Sequence, residues 1–316
     1  MAIAETASIQ SKIQLLHDNL CSVIQGKAEQ LDLLVIALAA GGSVLMEDVP
    51  GVGKTTLAKA MAKSIDAIYN RIQFTPDLLP ADILGTSIYN PADGSFRFNR
   101  GPVFCNILLA DEINRASPRT QAALLESMSE YQATIEGTLY PLPKPFLVLA
   151  TQNPMEYHGT YPLPEAQLDR FMLMLNLGYP SREVTKQILF SRQESDPLDA
   201  LTPVMCAETV LNLQQAVRHV SVEDSIAGYI AEIVESTRNH HQIKLGVSPR
   251  GALMLFHAAQ ASALQQGRDF VLPDDVQRLA PAVLAHRLIL TSKAKYSGVT
   301  KVELIKHVLD KTDVPI

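Results

Sequence analysis

A lysine and a threonine, Lys54 and Thr55, follow two glycines, Gly51 and Gly53, where an apolar run ending at Met46 gives way to helix-forming residues from Leu57 to Ser64. Strand, glycine turn and helix N-terminus in that order aim unpaired backbone N–H groups and the positive end of a helix dipole at one point, which favours phosphate. Within Asp48-Val49-Pro50-Gly51-Val52-Gly53-Lys54-Thr55-Thr56 the Lys54 ammonium can reach terminal phosphates. The Thr55 hydroxyl can hold Mg²⁺, as in a G-x-x-x-x-G-K-[ST] phosphate loop. Asp48 stands where the first glycine is usual. A Gly-Pro turn with Lys54 merely solvated is the plain alternative, and this set of residues after an apolar strand disfavours it.

Two carboxylates, Asp111 and Glu112, end the short apolar run from Ile107 to Ala110, the pattern of a buried parallel strand. Near the phosphate loop, Asp111 would hold Mg²⁺ through water and Glu112 would polarise an attacking water. An acidic strand end feeding a helix N-terminus is the alternative. Asn153, at another strand end, carries both a donor and an acceptor and can orient that water, or can satisfy a turn. Arg170, in Leu168-Asp169-Arg170-Phe171, either reaches a neighbouring subunit's phosphate or pairs with Asp169 or Glu165. Arg250 follows Ser248-Pro249 in the first turn of a helix, against the dipole, so an external anion or a salt bridge is implied. The loop by itself does not choose between a kinase, a GTPase, a helicase and an AAA+ machine.

The elements that position these groups follow from periodicity. Ile9 to Leu20 is an amphipathic helix and Glu29 to Ala39 a buried one, with Val23 to Lys27 a short loop between them; Tyr69 to Phe74, Phe146 to Ala150 and Phe171 to Leu177 are further strands. Ser87 to Asn90 and Ser95 to Phe98 flank a turn, and Glu130 to Leu142 alternates around Glu136-Gly137, so two hairpins are expected. Strands alternating with helices predict an α/β fold, a doubly wound parallel sheet over residues 1–180 with hairpin inserts near 83–101 and 128–146. From Ser181 no strand-like run follows, and residues 181–316 read as a smaller all-helical domain.

With 316 residues, 47% apolar, the chain can bury a large core, and 19% charged residues exclude a disordered chain. Its 27 basic and 33 acidic residues give a net charge of −6, which disfavours nucleic acid as a partner. Cys21, Cys105 and Cys206 are scattered, without metal-site spacing, which fits a reducing cytoplasm. The first ten residues lack a secretory pattern, and the longest apolar run, Leu33 to Met46, is too short to span a bilayer. His240-His241 make a poor metal pair. Arg97 and Arg100, near Phe96 and Phe98, read as a solvated hairpin face rather than a nucleic-acid contact. Arg115 and Arg119, which follow the carboxylates and could reach a nucleotide across an interface, rank below Arg170.

Five stretches carry a family resemblance: Glu47 to Thr55, Arg100-Gly101-Pro102-Val103-Phe104, Asp111 to Ala116, Ala150-Thr151-Gln152-Asn153-Pro154, and Leu163 to Phe171. In this order they resemble the MoxR branch of AAA+ ATPases over nearly the whole chain. The resemblance implies an AAA+ core with a helical lid, ATP and Mg²⁺ as ligands, and ATP hydrolysis. Lys54 and Thr55 would be Walker A residues, Asp111 and Glu112 Walker B, Asn153 sensor 1, Arg170 an arginine finger and Arg250 sensor 2. Asp48 is shared with the family, and Gln25-Gly26-Lys27 is similar to its adenine-contacting segment. The first hairpin looks like the helix-2 insert and the second like the pre-sensor hairpin. Family members usually form hexameric rings and act as chaperone-like motors, often beside a von Willebrand factor A domain protein, assembling or activating complexes or inserting metal cofactors. A nucleotide-dependent binding switch without turnover and a DNA-handling AAA+ motor are the rivals. On this reading Asn153 and Arg250 complete the site from the same chain, and Arg170 comes from another copy.

Overall fold

Ile107-Leu108-Leu109-Ala110 and Leu147-Val148-Leu149-Ala150 are unbroken apolar runs, the mark of strands covered on both faces, and they lie side by side in parallel register. The computed structural model describes residues 2–92, 94–153, 160–191, 193 and 196–315. Its first half runs α1 (Ala2–Val23), α2 (Ala28–Ala40), β1 (Val44–Glu47), α3 (Lys54–Ser64), β2 (Tyr69–Gln73), α4 (Pro80–Leu84), β3 (Gly85–Asn90) and β4 (Ser95–Arg100). Then come β5 (Ile107–Asp111), α5 (Pro118–Glu130), β6 (Gln132–Ile135), β7 (Thr138–Pro141), β8 (Leu147–Gln152), α6 (Glu165–Leu168) and β9 (Leu173–Leu175). The main sheet has the order β2-β5-β8-β1-β9, and every pairing in it is parallel.

Alternation along these strands builds two cores, because residues two apart share a face. Val44, Met46, Leu109, Leu149, Leu173 and Leu175 join one cluster with α1, α2 and α3, while Leu45, Leu108, Ala110, Val148, Ala150 and Met174 join the other with α5. The sheet is therefore wound on both sides, as an AAA+ core should be.

The two hairpins stand off this sheet. β3 pairs with β4 and β6 with β7, each antiparallel. In the second, Glu136 (φ 50°) and Gly137 (φ 79°) both take the left-handed conformation, which a two-residue turn between twisted strands needs. Ser87 Oγ donates to Glu136 Oε2 at 2.9 Å, tying one hairpin to the other.

The second half comprises α7 (Arg182–Ser191), α8 (Pro197–Ala200), α9 (Ala207–Arg218), α10 (Asp224–Asn239), β10 (Ile243–Leu245), α11 (Pro249–Gln265), α12 (Pro273–Leu284), β11 (Ile289–Leu290), α13 (Ser292–Tyr296) and α14 (Lys301–Lys311). The all-helical expectation needs one correction: β10 and β11 form an antiparallel ribbon. Strands of three and two residues carry too few positions for a period to register. The helices of this half share the first cluster with α1 and α2, whose residues pack on α9 and α11. Among the described residues no helix is long and apolar enough to cross a membrane.

Candidate active site

The phosphate loop lies between β1 and α3, where Gly51 (φ 85°) and Gly53 (φ 97°) hold conformations that cost other residues energy. Lys54 and Thr55 open α3, as their spacing after the glycines requires. The Lys54 ammonium donates to the carbonyl of Asp48 at 2.9 Å, which parks it across the loop. Pro50, Gly51, Gly53, Lys54, Thr55, Thr56, Asp111, Glu112 and Asn153 line one cavity of about 330 Å³. A larger cavity, about 760 Å³ between α6 and the β10–α11 turn, is reached by none of them, so size does not mark the site.

Parallel order explains the convergence, since β1, β5 and β8 are adjacent and deliver Lys54, Asp111 and Asn153 from the same sheet end. Thr151, to which the sequence reading gave no role, bridges the carboxylates: its hydroxyl donates to Asp111 Oδ1 at 2.6 Å and accepts the Glu112 N–H at 2.8 Å. Glu112 itself is left-handed, with φ 57°. Its Oε2 accepts from Gln73 Nε2 at 2.7 Å and from Arg115 Nη1 at 3.0 Å. Arg71 Nη2 donates to Asp111 Oδ2 and to Gln73 Oε1, both at 2.7 Å. Arg71 and Gln73 are missed contributors: they lie two apart on β2, and only its register beside β5 brings them here. Arg115, ranked below Arg170 as a ligand-binding cation, donates to Glu112 of its own chain. The hydroxyl and carboxylate oxygens of Thr55 and Asp111 suit a hard cation such as Mg²⁺, and both face the loop cavity.

Asp48 is a correction. It was expected among the ligand-binding residues, yet it is 3% exposed and is not among the residues that line the cavity. Its carboxylate accepts the N–H groups of Leu177 at 2.5 Å and Gly178 at 2.9 Å. It fastens the start of the loop to the segment that leaves β9. Val52 is partly buried and packs against the first core cluster, leaving its backbone to the loop.

Gln25 and Gly26 sit beside the loop, since Ile24 Cδ1 is 4.0 Å from where a Gly53 Cβ would stand. Gly26, at φ 69°, lies under Val184 of α7, whose Cγ2 would be 2.7 Å from an added Cβ. Gln25 Oε1 is buried with no hydrogen-bond partner among the described residues. An orphaned acceptor there fits the exocyclic amine of a purine base.

Arg170 and Arg250 are elsewhere. Both line a cavity of about 190 Å³ with Gly42, Ser43 and Met172, residues just before β1 and β9. The loop follows β1, so the two arginines face the opposite end of the sheet, beyond a strand roughly 13 Å long. Arg250 therefore does not complete its own chain's site, contrary to expectation. Packing explains this, because α11 docks on α2 and α12 rather than on the loop.

The segment bearing Arg170 is pinned by its neighbour. Asp169 accepts from Ser248 Oγ at 2.9 and 2.8 Å and from Arg287 Nε at 3.0 Å. Ser248 also caps α11, accepting the Gly251 N–H at 3.1 Å, so Arg170 and Arg250 are held in one frame. Burial pushes the Arg287 guanidinium down to about 10, against the pull of Asp169. Asp169 is thus committed to Arg287, and among the described residues neither Arg170 nor Arg250 forms an ion pair.

Residues 43–173 match the family model described as the ATPase family associated with various cellular activities (AAA), and residues 235–308 match the AAA lid domain. YeaC of Bacillus subtilis is 51% identical over 294 residues, covering 93% of this chain and 92% of that protein. Chaperone MoxR1 of Mycobacterium tuberculosis is 40% identical over 302 residues, covering 93% of this chain and 80% of that protein. A crystal structure from Cytophaga hutchinsonii is similar with a TM-score of 0.92 and 39% identity, covering 100% of this chain and 98% of that one.

Proposed function

This chain belongs to the MoxR family of AAA+ ATPases, and from that premise we propose that it is a Mg²⁺-dependent ATP hydrolase driving a chaperone-like motor. The observation that carries the reading is the division of the chemistry. Lys54, Thr55, Asp111, Glu112 and Asn153 gather at one end of the sheet, and Arg170 and Arg250 at the other. Neither end is a complete hydrolytic site, whereas head-to-tail contact between copies completes one at each interface, and such contacts close into rings. A hexamer is the expected ring.

In this reading the loop N–H groups and Lys54 take the β- and γ-phosphates, and the base lies against Gln25 and Gly26. Thr55 and Asp111 would hold Mg²⁺, which neutralises phosphate charge. Glu112 accepts a proton from the attacking water, Asn153 orients that water, and Arg170 and Arg250 of the next copy stabilise the leaving charge. Residues 1–180 act as the core and 181–316 as the lid. The work done is remodelling, assembly or activation of protein complexes in the cytoplasm, beside a von Willebrand factor A domain partner.

One observation favours the rival, a nucleotide-dependent switch: Glu112 is occupied by Gln73 and Arg115. Hydrolysis requires Glu112 to leave them for water. A DNA-handling motor is disfavoured by the net charge of −6. Nucleotide binding and turnover separate the first two. Lys54→Ala should abolish ATP binding, and Glu112→Gln should keep binding while turnover falls by at least about 100-fold. Wild-type turnover no faster than that of Glu112→Gln would leave only the switch.

A further inference from the structure

We infer that Arg218 is a third cation delivered to the neighbouring copy's nucleotide phosphates, beside Arg170 and Arg250. The inference rests on the trans reading of Arg170. Arg218 ends α9 and lines the same 190 Å³ cavity as Arg170 and Arg250, and among the described residues no carboxylate lines that cavity. Among the described residues none of the three guanidinium groups forms an ion pair. Three uncompensated cations converge on one cavity in a chain with an acidic excess of charge. Such an arrangement calls for an anion with several adjacent charges, which a polyphosphate supplies.

A cation at a helix C-terminus also suits the dipole, but Arg218 is held more specifically than that. Gln260 is 4% exposed, and its Nε2 donates to the Val220 carbonyl at 2.8 Å. That fixes its Oε1 as an acceptor for His257 Nδ1, at 2.9 Å. With its proton on Nδ1, His257 offers the Nε2 lone pair, which accepts from Arg218 Nη1. Burial, with a smaller contribution from Arg218, holds His257 below the usual imidazole range against the Gln260 bond, so the ring is neutral at neutral pH. A neutral acceptor aims a guanidinium without cancelling its charge, where a carboxylate would do both. His257 is seven residues after Arg250, so both project from one face of α11. One helix face thereby presents Arg250 directly and Arg218 through its histidine.

ATPase assays on full-length variants test this. Arg218→Ala should assemble and bind ATP as the wild type does, yet lose about 10- to 100-fold in kcat at saturating ATP. His257→Ala should lose less, and Arg218→Ala/His257→Ala no more than Arg218→Ala alone, because the histidine acts only through the arginine. Mixed with Glu112→Gln, whose arginine face is intact, Arg218→Ala should regain turnover above either variant alone. Turnover of Arg218→Ala within twofold of wild type, or loss of assembly, would overturn the inference. So would a silent mixture alongside an Arg170→Ala plus Glu112→Gln mixture that does recover. If that control mixture stays silent as well, the trans reading itself falls and this inference with it.

Discussion

Arg287 is 5% exposed and has Asp169 as its carboxylate partner. Its Nη1 and Nη2 groups also donate to the carbonyls of Asp169, Phe171, Met172 and Val283, among other partners. A buried guanidinium left without its counter-charge costs about 3–5 kcal/mol. Asp169→Ala is therefore predicted to lower unfolding free energy by about that much, measured by urea denaturation, and to unseat Arg170 and the Ser248 cap together. A change below about 0.5 kcal/mol would mean that the clamp does not bear on the fold. The position of Asp169 beside Arg170 invites a local pairing in sequence. Its true partner lies 118 residues on and is set by the docking of α12, which no spacing records.

At the scale of elements, Asp48 joins the start of the phosphate loop to the segment that follows β9. Asp48→Ala would leave the Leu177 and Gly178 N–H groups without their acceptor, at a cost of about 1–3 kcal/mol each if they stay buried. We predict a lower melting temperature and weaker ATP binding by calorimetry, with Asp48→Asn retaining part of both. Unchanged affinity would mean that the segment after β9 does not bear on the loop. Motif spacing made Lys54, Thr55, Asp111 and Asn153 legible, because strand-turn-helix geometry is local and parallel strands share an end. The hairpins were legible for the same reason, with turn residues between alternating runs. Asp48 was misread because its partners are 129 and 130 residues away, and Arg71 and Gln73 were missed because only strand order places them.

Taken whole, the molecule carries a phosphate-loop end and an arginine-bearing end on one parallel sheet. The fold class, the helical lid and the family were legible in the sequence; the end of the sheet at which Arg250 lies was not, since that depends on how α11 packs. The most direct test of a site shared between copies is the ATPase activity of a one-to-one mixture of Arg170→Ala and Glu112→Gln chains. In the proposed head-to-tail ring each interface would pair one copy's loop with the next copy's arginine face, so random mixing would make about a quarter of the interfaces complete. The prediction is that two nearly inactive proteins regain roughly a quarter of wild-type turnover on mixing. Activity no greater than the average of the two separate proteins, in rings shown to contain both, would contradict it.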